Sequence, residues 1–196
     1  MDATWLTELA ESPLVLPLLW LLTVADAFLV VVPSETAVVA LAAASTSVGA
    51  PTLWLLVPTA AVGALCGDLA CYALGRRVGL DRWEWQRRGR VAAAITRVRV
   101  AVDRRAAVLI FTARYIPFAR IAVNLVAGAS GLPLRRYVPL AASAGLAWAV
   151  YNTVVGATTG VVLAEHPVAA VAVSVVVAMT LGLAIDWAVR RAGSGR

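Results

Sequence analysis

Thr112–Arg120 reads T-A-R-Y-I-P-F-A-R, and it lies within an apolar run extending from Ala106 to Pro133. Two arginines six residues apart, with a proline between them, are costly inside a bilayer. By insertion scales each charge near the membrane midplane costs on the order of 3 kcal/mol. The proline also removes a backbone donor and breaks a helix. How this stretch is read decides whether the run is one span or two broken arms.

The surrounding chain is built for lipid. Of 196 residues, 61% are hydrophobic and 14% charged, and the mean hydropathy is +0.84. Soluble domains average about 45–50% apolar and about 25% charged. These values predict an all-α integral membrane protein. The 17 basic residues are all arginine. The N-terminal stretch M-D-A-T-W-L-T-E-L-A-E-S-P is acidic, which argues against a cleaved signal peptide with its basic n-region. Cys66 and Cys71 are five residues apart in an apolar span and do not share a helix face, so they read as small buried hydrophobes.

Apolar segments run from Pro13 to Ala44, Thr52 to Gly75, Ala106 to Pro133, Tyr137 to Ala164 and Pro167 to Val189. A single span needs about 20 residues. The second, fourth and fifth segments suit simple spans. The first is interrupted by Asp26 and by Pro33-Ser34-Glu35, the third by the opening motif. Broken backbone at membrane depth is tolerated only where protein or a water-filled cavity covers it. Both segments therefore read as re-entrant hairpins, with a span plus a half-helix left open for residues 13–44.

Charge sets the expected topology. Residues 76–105 hold ten arginines against Asp81, Glu84 and Asp103, a balance of +7. The positive-inside rule makes this loop cytoplasmic, together with the basic tail 190–196. Two spans then return the chain to the cytoplasmic side, which places Arg135 and Arg136 there as well. The third segment must enter from the cytoplasm and come back to it, as a hairpin does and a full span does not.

The predicted single membrane domain, 1–189, comprises a first repeat (13–75), a basic loop (76–105), an inverted second repeat (106–164) and a last transmembrane helix (167–189). Within the loop, Val91, Ile95, Val98 and Val102 follow helical spacing, with Arg90, Arg97 and Arg104 off that face. This predicts a cytoplasmic amphipathic helix on the membrane surface. The sequence carries a trace of the repeat. E-T-A-V-V-A-L-A-A-A-S from Glu35 parallels R-I-A-V-N-L-V-A-G-A-S from Arg120, and V-P-T-A-A from Val57 parallels V-P-L-A-A from Val138. Leu65/Leu146 and Gly75/Gly156 keep the second register. Inverted repeats around a midplane site characterise many secondary transporters.

The chemistry-bearing residues are few. Arginine is a permanently charged planar fork that matches phosphate bidentately. Arg114 and Arg120, flanking a break that also frees backbone N–H groups, make an anion clamp. Salt bridges to Asp26 and Glu35 are the structural alternative. Those two carboxylates, nine residues apart around Pro33, are the candidate proton carriers. Asp68, with Tyr72 one turn on, reads first as a helix-packing hydrogen bond. Tyr115, Pro117 and Asn124 complete the supporting residues around the second break. Asp186 and Arg190 read as an interfacial ion pair, and the lone His166 as a surface residue. No catalytic triad, metal-ligand cluster or phosphate-cradling glycine loop is present in the sequence. The expectation is a non-enzyme without cofactor or metal and without nucleic-acid binding.

The elements D-A-F-L-V-V-V-P-S-E, G-D-L-A-C-Y-A-L-G-R-R-V-G and R-Y-I-P-F-A-R followed by V-A-G-A-S-G, in that order over about residues 20–165, resemble the DedA family. This is the bacterial branch of the SNARE-associated, or VTT-domain, membrane proteins. The resemblance implies a multi-pass protein of the bacterial cytoplasmic membrane. The implied activity is flippase- or scramblase-like movement of a lipid phosphate, such as undecaprenyl phosphate or a phospholipid. It also implies essential acids at Asp26 and Glu35 and essential arginines at Arg114 and Arg120. Two positions depart from the family pattern: Asp26 where glutamate is frequent, and Phe118 where glycine is frequent. The partners expected are membrane lipids, the lipid-linked substrate and protons, and a homo-oligomer is left open. The rival readings are a proton- or ion-coupled small-solute transporter and a non-transporting membrane organiser.

Overall fold

A computed structural model describes residues 8, 10–29, 34–47, 49–79, 84, 88–114, 116–162 and 173. Six helices are traced: α1 (Val15–Asp26), α2 (Ser34–Ser47), α3 (Leu53–Val78), α4 (Gly89–Ala113), α5 (Pro117–Ala129) and α6 (Leu134–Val162). Among the described residues there is no strand. Apart from Val173, the expected last helix and the tail lie outside the described residues, as do Pro33 and Tyr115.

Length separates the helices into two kinds. At about 1.5 Å per residue, α3 with 26 residues and α6 with 29 are each long enough to cross a hydrocarbon core of about 30 Å. The apolar helices α1 and α5, with 12 and 13 residues, reach only about 20 Å. They are joined to their partners through breaks where the sequence places them. Leu53–Val78 and Leu134–Val161 are the two helices long and apolar enough to span a membrane among the described residues.

The break at the opening motif follows from local chemistry. Arg114 caps the C-terminus of α4, Ile116 is extended (φ −121°, ψ 107°), and Pro117 opens α5 at its first position. Proline forces its predecessor out of the helical region and suits a helix start, where its missing N–H is not needed. A second irregularity lies upstream: Arg105 has non-helical angles (φ −131°, ψ 28°) and kinks α4. C-terminal to that kink the helix continues as A-A-V-L-I-F-T-A.

Packing exchanges the short arms. α2 packs most extensively on α6, and α5 on α3, while α3 and α6 also meet each other. Glycines permit both exchanges. A Cβ on Gly128 would come within 1.9 Å of the Tyr72 carbonyl oxygen, and one on Gly75 within 2.0 Å of the Leu125 carbonyl oxygen. On the other side, a Cβ on Gly156 would come within 2.3 Å of the Val39 carbonyl oxygen and one on Gly160 within 2.5 Å of the Ala43 carbonyl oxygen. Small residues let backbones approach where lipid supplies no hydrophobic drive between helices. The resulting core has two clusters, one around Tyr72, Tyr137 and Ile110 and another around Leu56, Val38 and Trp148. The outside is apolar too: Leu14, Leu18, Leu21, Trp54, Leu55, Leu146 and Val154 are all exposed. A soluble monomer rarely shows so much contiguous apolar surface.

Candidate functional site

The two arginines of the break each find an aspartate, and they find different ones. Arg114 reaches across to α3, where its Nη1 donates to Asp68 Oδ2 at 2.6 Å. Asp68 Oδ1 accepts from Asn124 Nδ2 at 2.8 Å. The Tyr137 hydroxyl lies 2.9 Å from Asn124 Oδ1 and 3.1 Å from the Asp68 carbonyl oxygen. The end of α4 and α5 thus meet at the Asp68 carboxylate of α3, with Tyr137 of α6 bonded to the Asp68 carbonyl oxygen and to Asn124 beside it. Both side chains of the ion pair are only 3% exposed. The Arg114 guanidinium also lies 5.3 Å from the centroid of the Trp148 ring, within cation–π reach.

Arg120, in the first turn of α5, turns to the end of α1. Its Nη1 and Nη2 are each 3.0 Å from Asp26 Oδ2, and Nη2 also donates to the Asp26 carbonyl oxygen. Ser34, the first residue of α2, donates its hydroxyl to the same Oδ2 at 2.6 Å. This pair is more open, with side-chain exposures of 12% and 13%. One arginine–aspartate pair is sealed and the other is partly exposed at its edge.

Both guanidinium groups keep buried N–H capacity in reserve. Nε and Nη2 of Arg114 and Nε of Arg120 are buried without a hydrogen-bond partner. A buried unpaired donor costs about 1–3 kcal/mol, and more on a charged group. The two arginines that carry these donors flank a single helix break.

Set against the sequence, Arg120 meets one of its two expected acids, and it is Asp26 rather than Glu35. Arg114 meets neither. Its partner is Asp68, whose role is that of a counter-ion rather than a packing hydrogen bond with small neighbours. The reason is geometric: Arg114 ends α4 where α3 passes, while α1 and α2 end nearer Arg120. Glu35 is exposed, and its Oε1 is 3.4 Å from Trp148 Nε1, a long contact. Tyr72 contacts neither arginine of the break. Its hydroxyl donates to the Leu132 carbonyl oxygen and accepts from Arg76 Nη1 at 2.9 Å, and its ring stacks on Tyr137 at 4.5 Å. Tyr72→Phe is expected to cost about 1–2 kcal/mol in thermal unfolding, the worth of that hydrogen-bond pair.

Trp148, Tyr137 and Ser34 were not picked out from the sequence. Trp148 carried a usable signal, since a tryptophan in mid-span lies away from the interfacial belts where this residue concentrates. Among the described residues, no group of three or more His, Cys, Asp or Glu side chains could hold a metal ion.

Buried arginine–aspartate pairs, an apolar exterior and two helices long and apolar enough to span a membrane characterise the described residues of this all-helical chain. The family model for the VTT domain matches residues 32–158, which include both arginines, Asp68, Glu35 and Trp148. The chain belongs to this membrane-associated family, the DedA or SNARE-associated group. Comparison with curated proteins and with solved structures finds no match.

Proposed function

We propose that the protein moves a lipid phosphate, such as undecaprenyl phosphate or a phospholipid, across the cytoplasmic membrane of a bacterium, driven by protons. The observation that supports this most is the reserve of buried, unpartnered N–H groups on Arg114 and Arg120. A phosphate headgroup offers several charged oxygens, and charge-assisted hydrogen bonds to them would satisfy these donors. The lipid chain would stay in the bilayer beside the exposed apolar faces.

In this reading α1–α2 and the end of α4 with α5 are re-entrant arms. α1–α3 and α4–α6 are inverted repeats, consistent with the exchanged packing of α2 on α6 and α5 on α3. The N-terminal ends of α2 and α5, with their positive dipole ends, bring Ser34 and Arg120 to one carboxylate. Asp26, at the more open pair, is the proton carrier. Protonation weakens its hold on Arg120 and frees that guanidinium for phosphate. Loss of the proton re-forms the pair and expels the headgroup. Asp68 anchors Arg114 in the sealed pair, and Glu35, near the indole of Trp148, faces the route by which headgroup or proton arrives.

The test is reconstitution into vesicles with phosphate-lipid movement followed against pH. Arg114→Ala and Arg120→Ala are each expected to slow transport at least about tenfold, the worth of one or two charge-assisted hydrogen bonds. Arg120→Lys keeps the charge but loses the fork, and is expected to recover little. Unchanged transport in both alanine variants would overturn the proposal.

A further inference from the structure

α4 carries a groove outside the buried site. It has a volume of about 390 Å³ and is lined by Thr96, Arg97, Val100, Ala101, Arg104 and Arg105. The three arginines are exposed, as is Val100. Val102 and Ala106, on the other face of the same helix, are buried in the core beside Tyr72 and Tyr137. The groove thus faces away from the packed helices. Among the residues whose side chains are described, no acid pairs with Arg97, Arg104 or Arg105, whereas Arg88 farther along has Glu84 at 3.2 Å.

Its place along the chain identifies what it fits. The kink at Arg105 divides a charged stretch from the uncharged residues 106–113. A helix that passes from basic to apolar at a kink changes surroundings there, from the headgroup layer to the hydrocarbon. The three cations rim an apolar floor of Val100 and Ala101. An inorganic anion has no use for such a floor, while the glycerol and upper acyl carbons of a lipid do.

We infer that this groove is a binding site for an anionic phospholipid headgroup of the cytoplasmic leaflet, separate from the buried arginine pairs and independent of any transported substrate. Each arginine near an anionic membrane surface adds about fivefold in attraction, and the effect is screened within a Debye length.

Native mass spectrometry on the full-length protein released from nanodiscs tests this. The nanodiscs contain equal amounts of phosphatidylglycerol and phosphatidylcholine. The wild type is expected to retain phosphatidylglycerol in preference, with the preference falling as salt rises. Arg97→Gln/Arg104→Gln/Arg105→Gln is expected to lower the preference at least about tenfold, and the corresponding triple lysine variant to keep most of it. Arg87→Gln/Arg88→Gln/Arg90→Gln removes the same formal charge from the preceding stretch of chain and is expected to lower the preference at least several-fold less than the groove variant does. Equal loss in the two glutamine variants would reduce the effect to diffuse charge and overturn the site. Displacement of the lipid by inorganic phosphate at equal concentration would overturn its assignment to a lipid.

Discussion

Asp68→Ala is expected to destabilise the protein by about 3–5 kcal/mol, because it leaves a buried guanidinium without its counter-ion. Arg114 already carries two buried nitrogens with no partner. Removing the carboxylate takes away its 2.6 Å bond as well and strips Asn124 of the acceptor for its amide. The cation–π contact with Trp148 cannot replace these, since such contacts are worth about 0.5–2 kcal/mol. Thermal unfolding in detergent, with and without chemical denaturant, reads the loss. Asp68→Ala/Arg114→Ala is expected to recover at least half of it, because a buried pair removed together leaves no orphaned charge. A cost below about 1 kcal/mol for Asp68→Ala alone would mean that water reaches the pair. Asp26→Ala is expected to cost less than Asp68→Ala, since solvent already touches that pair and can take over part of the carboxylate's role.

Gly128→Val is expected to cost at least about 2–3 kcal/mol, at the upper end for overpacking, and to lower the yield of monodisperse protein. The nearest atoms to a new Cβ are the Tyr72 carbonyl carbon and oxygen and the Arg76 amide nitrogen, which belong to a helix backbone and cannot rotate aside. α5 must move away from α3 as a body. Asn124 sits one turn before Gly128 on the same helix, so the displacement also draws its amide from Asp68. Ala122→Val places the same side chain on an exposed face of α5 and is expected to change stability by less than about 1 kcal/mol, within the range of helix propensities. Similar losses in the two variants would show that the close crossing does not set the cost, since helix propensity favours valine over glycine at position 128 and disfavours it against alanine at position 122.

Much of the fold could be read from the chain because the breaks are written in residue chemistry. Pro117 with its extended predecessor ends one helix and starts another, and α1 and α5 are short beside these breaks. Charge also narrowed the site to five ionisable residues, four of which pair in the interior. Which acid meets which arginine could not be read. Periodicity places Asp68 and Arg114 on their own helices, but the rotation of one helix against another is set by where glycines let backbones touch. Gly75 and Gly128 turn α3 and α5 so that Asp68 faces Asn124, and sequence spacing carries no record of that contact. Trp148 escaped notice for a related reason. Its position over Arg114 depends on α6 crossing α3, a contact between residues far apart in the chain.

The exchanged arms carry a consequence for how the protein is made. The face of α2 that Gly156 and Gly160 cover belongs to a segment translated long before α6. The Thr46 hydroxyl and the Ala157 carbonyl oxygen that meet in the finished structure are 111 residues apart. At cellular synthesis rates, that interval lasts roughly five to twenty seconds. During it, α2 has only slight contact with α1 and α3, because α3 packs mainly against α1, α5 and α6. Until α6 is made, the face of α2 that it covers lacks its main packing partner. Separately expressed halves should accordingly be degraded on their own and accumulate only when co-expressed.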